Sequence, residues 1–178
     1  MSIFICLTSK GPITNHNLES ISKNLYIDTT DLTYSEVLTK IYNVSRGFKY
    51  IVVIDLDKLI IKNIDYCKLI EVLPEDFDIL QLTTDNCTHI TNLFEFHNND
   101  IYIKKDHQYN GNYAFLCTKI YFENVEELIT NKSFVELPYT RYSNIMTIPI
   151  FNVKNDKKTN KLINHIMSIY QKHLKYYL

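Results

Sequence analysis

One short run, Tyr50-Ile51-Val52-Val53-Ile54, restricts what this chain can fold into more than any other stretch. It is aromatic or β-branched at every position, with no polar residue on either alternating face. A strand of that kind sits inside a parallel sheet whose two faces are both covered. Parallel neighbours cannot be joined by tight hairpins, so crossover segments, usually helices, must flank the strand. The run then ends without transition in Asp55-Leu56-Asp57.

The flanking sequence supplies the expected alternation. Ile3-Phe4-Ile5-Cys6-Leu7 reads as a first buried strand stopped by Gly11-Pro12. Asn15 to Leu25 has helical spacing at Leu18, Ile21 and Leu25, and Leu25-Tyr26-Ile27-Asp28 reads as a second strand. Thr33 with Glu36 three residues on forms a capping-box pattern, opening a helix that runs to Gly47. Further along, Asp65 to Leu73 predicts a short helix before Pro74, and Phe77 to Leu82 a strand. Residues 83–111 are the least regular, with one short strand at Ile101-Tyr102-Ile103. Asn112 to Cys117 predicts a strand, Lys119 to Ile129 a helix, and Ile145 to Val153 a last strand, at an edge or bend because it contains Pro149. Lys158 to Leu178 carries the stripe of an amphipathic C-terminal helix. The pattern predicts an α/β fold with a mostly parallel central sheet flanked by helices, as a compact single domain.

Charge and cysteine usage remove several function classes. The 178 residues hold 19 basic and 20 acidic side chains, a net charge of −1. No general electrostatic pull toward nucleic acid or anionic membranes follows from that balance. Any phosphate recognition must therefore be built locally. The four cysteines (Cys6, Cys67, Cys87, Cys117) are scattered with no C-x-x-C pair, which argues against a zinc site or disulfide framework. His89, His97 and His107 match no helix-borne ligand spacing and read as loop histidines. Met1 to Leu7 is too short for a signal-peptide core, and no window approaches the roughly 20 apolar residues of a membrane span. A soluble, cytoplasmic protein is the expectation.

The chemistry therefore concentrates at Asp55 and Asp57. In open parallel sheets, ligands bind beyond the carboxyl ends of the strands. Carboxylates at i and i+2 project to one side of an extended chain and can share a divalent cation, which prefers hard oxygen ligands and completes its shell with water and phosphate. Such a metal neutralises a diphosphate as it departs. The bland alternative is an acidic pair opening a turn.

Phe48 to Asp57, followed by Leu73-Pro74-Glu75-Asp76-Phe77-Asp78-Ile79-Leu80-Gln81-Leu82, resembles glycosyltransferase family 25, the lipooligosaccharide and collagen sugar transferases. Tyr109 to Lys119 is similar to that family's Gly-x-x-Ala-Tyr-Leu-Ile-Ser-Lys segment, and Val135-Glu136-Leu137-Pro138 falls where the family carries a Val-Asp pair. The ordered likeness spans about residues 33–153. It implies a GT-A-like fold, with residues 1–57 as a minimal nucleotide-binding half and 58–178 as the acceptor-side half and C-terminal helix. It also implies a nucleotide-sugar donor, a glycan or protein acceptor, and Mn2+ or Mg2+ at Asp55 and Asp57. Leu56 replaces the middle acid of the family's triplet, and Ser9-Lys10-Gly11 stands where the family opens with arginines. Donor contacts would then fall to Thr8, Ser9, Asp28 and Asp55, and Glu136 or Asp85 would act on the acceptor side.

Two rival readings follow from the same residues. A HAD-type phosphatase would use Asp55 as nucleophile, yet no later Lys and strand-end acidic pair completes its magnesium site. A non-catalytic interaction module on the same fold is the other. Lys154 to Lys161 reads as a solvated turn, with a diphosphate contact as the alternative.

Overall fold

A computed structural model describes residues 2–11, 24–71, 73, 75, 77–83, 94–97, 100–103, 113–120, 145–147 and 150–174. Its centre is a six-stranded mixed sheet. The strands are β1 (Ile3–Ser9), β2 (Asn24–Asp28), β3 (Tyr50–Asp55), β5 (Ile79–Gln81), β8 (Ala114–Thr118) and β9 (Ile145–Thr147), in the order β2-β1-β3-β8-β5-β9. The pairs β2–β1, β1–β3 and β5–β9 are parallel, whereas β8 runs antiparallel to both β3 and β5. The sheet is therefore α/β in character and mixed, with three of its five strand pairings parallel. β2, β1, β3, β5 and β9 all end at one edge, and β8 alone begins there.

Side-chain alternation divides the core into two layers. Phe4 and Cys6 of β1 join Ile51 and Val53 of β3 on one face, against Val37, Leu38 and Ile41 of α1 (Tyr34–Val44). Ile5, Leu7, Val52 and Ile54 point to the opposite face. There they meet Tyr66, Leu69 and Ile70 of α2 (Tyr66–Glu71), together with Leu162 and Met167 of α3 (Lys157–Leu174). Every residue from Ile51 to Ile54 is buried, as a strand covered on both faces requires.

Local signals account for the element ends. Thr33 accepts the Glu36 N–H at 3.3 Å, and the Glu36 carboxylate accepts the Thr33 N–H at 2.7 Å, completing the capping box. Gly47, at φ 92°, turns the chain after α1 in the left-handed region that side chains disfavour. The expected strand Ile145 to Val153 is instead two pieces. Ile145–Thr147 forms β9 at the sheet edge, while β10 (Asn152–Val153) pairs antiparallel with β4 (Leu59–Ile60) in a separate ribbon. Ile150 and Phe151, between them, both donate their N–H groups to the Leu82 carbonyl, at 2.9 and 3.0 Å.

Elsewhere the segments shift slightly. The Asp65 helix occupies Tyr66–Glu71, and the C-terminal helix begins at Lys157. Phe94–His97 (β6) pairs antiparallel with Asp100–Ile103 (β7), so the short strand read at residues 101–103 has a partner that the pattern missed. The helix expected over Asn15 to Leu25 lies largely outside the described residues, as does the Lys119 helix beyond Ile120.

Leu116 sits at the middle of β8, opposite Val52 on one side and Leu80 on the other, and is fully buried. Leu116→Ala should cost about 2–5 kcal/mol of stability through lost transfer energy and a residual cavity. Ile60→Ala, at a position 48% exposed, should fall within about 1 kcal/mol of wild type. Urea unfolding of the two variants checks the contrast.

Candidate functional site

Register alone assembles the site. Thr8 of β1 lies beside Asp55 of β3, and Ser9 lies beside Asp28 of β2. Three sequence-distant polar ends thus meet at the carboxyl edge of three adjacent parallel strands. The backbone locks the end of β3 on both sides. Asp55 N–H donates to the Tyr113 carbonyl at 2.7 Å, and Leu56 N–H donates to the Thr8 carbonyl at 2.8 Å.

Past that point the chain turns around the Asp55 carboxylate. Its Oδ1 accepts the N–H groups of Asp57 at 2.9 Å and Lys58 at 3.3 Å. Its Oδ2 has no hydrogen-bond partner among the described residues. Leu56 points the other way and is buried in the core layer that holds Leu59, Ile150 and Phe151. A carboxylate at position 56 would be buried among these apolar side chains.

Asp57 is exposed but held firmly. Ser9 Oγ donates to its Oδ1 at 2.9 Å, and Lys10 N–H donates to its Oδ2 at 2.8 Å. Both carboxylate oxygens keep a further lone pair. Burial raises the half-buried Asp55 carboxyl above its ordinary pKa; the Asp57 N–H pulls it back, and repulsion from the Asp57 carboxylate raises it again. Desolvation is the larger of these effects, and a divalent cation at the Asp55 carboxylate would offset it.

The remaining sequence candidates separate into those the structure brings together and those outside its described residues. Thr8 is buried, and its hydroxyl lies 3.4 Å from the Ile54 carbonyl, to which it donates, so it serves the strand end directly. Asp28 is exposed at the end of β2. Its Oδ1 accepts from Thr30 Oγ1 at 2.6 Å, Thr30 N–H at 2.9 Å and Gly11 N–H at 3.1 Å. The Thr30 hydroxyl, then the Thr30 and Gly11 amides, hold its carboxyl below the usual carboxylate range. Asp28 therefore stays ionised, with Oδ2 free of partners among the described residues. Asp85, Glu136, His89 and His107 lie outside the described residues, and His97 falls in β6. Among the described residues no group of three His, Cys, Asp or Glu side chains could enclose a metal, and no helix is long and apolar enough to cross a membrane. Cys6 and Cys117 are buried, Cys67 is exposed, and all three are free thiols.

Two features of the site carried no local sequence signal. The Tyr113 carbonyl closes the end of β3 from β8, and Lys154 reaches across to the turn, its Nζ 2.6 Å from the Leu56 carbonyl. Both are long-range contacts set by topology. Comparison with protein-family models and with curated proteins finds no match to this chain.

Because the Asp55 carboxyl has a higher pKa folded than unfolded, folding binds its proton more tightly. Its contribution favours the fold below the unfolded value of about 3.9 and is lost as pH rises through the folded value. At neutral pH the charged carboxylate is a net cost. Asp55→Asn keeps an oxygen for the two amides and removes that cost, so the metal-free variant should melt above wild type at pH 7. The gap should close toward pH 3. Thermal melts across that range in the presence of a chelator test it; equal melting at pH 7 would refute the desolvation argument.

Proposed function

We propose that this chain is a glycosyltransferase of GT-A-like architecture, moving a sugar from a nucleotide-sugar donor to a glycan or protein acceptor. The observation that carries the reading is the Asp55 carboxylate. It stands half-buried at the end of a covered parallel strand, beside a second carboxylate, with one oxygen fixed and the other without a partner among the described residues. A carboxylate desolvated at a strand end costs stability, and such costs concentrate where a ligand recovers them.

The donor set fits Mg2+ or Mn2+. These ions are held by one or two carboxylates and keep the rest of their shell for water and substrate phosphate, so no third acid is needed. When bound, the cation supplies charge neutralisation to a departing nucleoside diphosphate. Within the chain, Asp55 and Asp57 would hold that cation, and Ser9 Oγ and Lys10 N–H fix the Asp57 carboxylate. Asp28 stands beside Ser9 at the end of β2, one strand beyond β1, with an oxygen available to ribose or base donors. Asp85 and Glu136 remain the acceptor-side candidates on the resemblance alone.

The direction of β8 disfavours the phosphatase alternative. That chemistry needs further acids beside the nucleophile strand, whereas the described strand positions beside the end of β3 are Thr8, opposite Asp55, and Ala114, opposite Ile54.

A donor-hydrolysis screen with UDP- and GDP-sugars and Mn2+ tests the proposal. Turnover should vanish with a chelator and fall roughly 100-fold or more in Asp57→Asn. Calorimetry that finds no nucleotide bound at millimolar concentration would replace the transferase with an interaction module. Aryl-phosphate turnover that disappears in Asp55→Asn would replace it with a phosphatase.

A further inference from the structure

We propose that Lys10, Lys58 and Lys154 form a cationic collar around the Asp55-Leu56-Asp57 turn that takes the phosphate oxygens of a diphosphate ligand. The inference rests on the proposed function only in supposing a divalent cation at the two acids. It adds which residues meet the ligand's charge.

Each lysine is tied to the turn through its backbone. Lys10 N–H donates to Asp57 Oδ2 at 2.8 Å, and Lys58 N–H donates to Asp55 Oδ1 at 3.3 Å. Lys154 N–H donates to the Lys58 carbonyl at 2.7 Å, and its Nζ donates to the Leu56 carbonyl at 2.6 Å. The three come from separate places: the end of β1, the turn after β3, and the turn after β10. All three are exposed.

The Lys154 backbone is braced. Asn160 donates Nδ2 to the Val153 carbonyl at 2.7 Å and accepts the Val153 N–H at 2.8 Å. Asn155 follows in the left-handed region at φ 61°, a conformation that Asn tolerates better than most residues. The Lys58 ammonium lies 6.0 Å from the centroid of the Tyr113 ring, whose own carbonyl closes β3.

The Lys58 ammonium faces the Tyr113 ring and the Lys154 ammonium the Leu56 carbonyl. Among the described residues none of the three ammonium groups makes an ion pair with Asp55 or Asp57. The acids' contacts are instead with hydroxyl and backbone donors. Lys154 spends one of its three N–H donors on Leu56 and keeps two. A divalent cation and two carboxylates cancel in charge, so the negative charge of a bound diphosphate is left for the lysines to meet. In a chain of net charge −1, no general field supplies that attraction.

Calorimetric titration of inorganic pyrophosphate with Mn2+ reads the collar directly. Lys10→Met, Lys58→Met and Lys154→Met should each weaken binding roughly three- to tenfold, and the triple variant should abolish it. Lys154→Arg should retain it. Lys68→Met makes the same charge change in α2, where Lys68 lies 3.5 Å from Asp65, and should bind as wild type. Wild-type affinity should also fall as salt rises, a readout that needs no variant to fold. Wild type that binds no pyrophosphate, affinity indifferent to salt, or a triple variant that binds within twofold of wild type would overturn the collar. Pyrophosphate held through the lysines while no nucleotide-sugar binds would sustain the collar and remove the transferase. Nucleotide-sugar turned over undiminished by the triple variant would do the reverse.

Discussion

A strand covered on both faces and paired along both edges has only its ends in contact with water. That constraint governs β3. Ile51 to Ile54 are buried, β1 and β8 take its backbone groups, and polar chemistry can begin only at Asp55. The neighbours then decide what surrounds that end. A parallel β1 delivers its own terminal residues, Thr8 and Ser9, at the same level. A reversed β8 delivers its beginning, Tyr113 and Ala114, and so contributes a backbone carbonyl and a ring instead of a second set of strand-end acids. One burial requirement and one strand direction thus place the groups immediately beside Asp55.

Legibility from sequence follows the range of the interaction involved. The β3 run, the Thr33–Glu36 capping box and the Gly47 stop were readable because each is decided within a few residues. The reversed direction of β8 was not, because Ala114 to Thr118 would read as the same apolar strand in either direction. Ile145 to Val153 was read as one strand at an edge or bend, because the two-residue ribbon of β4 and β10 is too short to leave a period. Asp55 and Asp57 were legible as a pair, since i and i+2 share a side. What holds them was not: Ser9 Oγ on Asp57 and Lys154 Nζ on the Leu56 carbonyl depend on which strands become neighbours.

Leu56 shows how core and site share one turn. Its side chain fills the layer beneath α2 and α3, its N–H goes to Thr8, and its carbonyl accepts Lys154. The outer two residues are thereby fixed facing away from that layer. An acid at the middle position would add a ligand but would have to be buried among Leu59, Ile150 and Phe151. Burying a charge without partners costs far more than a third carboxylate adds to a cation that already takes water and phosphate. An apolar residue at position 56 and a carboxylate on either side of it are therefore compatible.

The same bookkeeping explains why opposite charges can crowd here without collapsing into ion pairs. Exposed ion pairs are worth little, because each long side chain must give up rotamer freedom to form one. Short, fixed donors compete better. A serine hydroxyl and three backbone amides on the Asp55 and Asp57 oxygens need little further ordering. The acids are thus satisfied by the framework while the ammonium groups remain available. The proposed ligand, carrying phosphate beside a divalent cation, would be complementary to both kinds of charge at once.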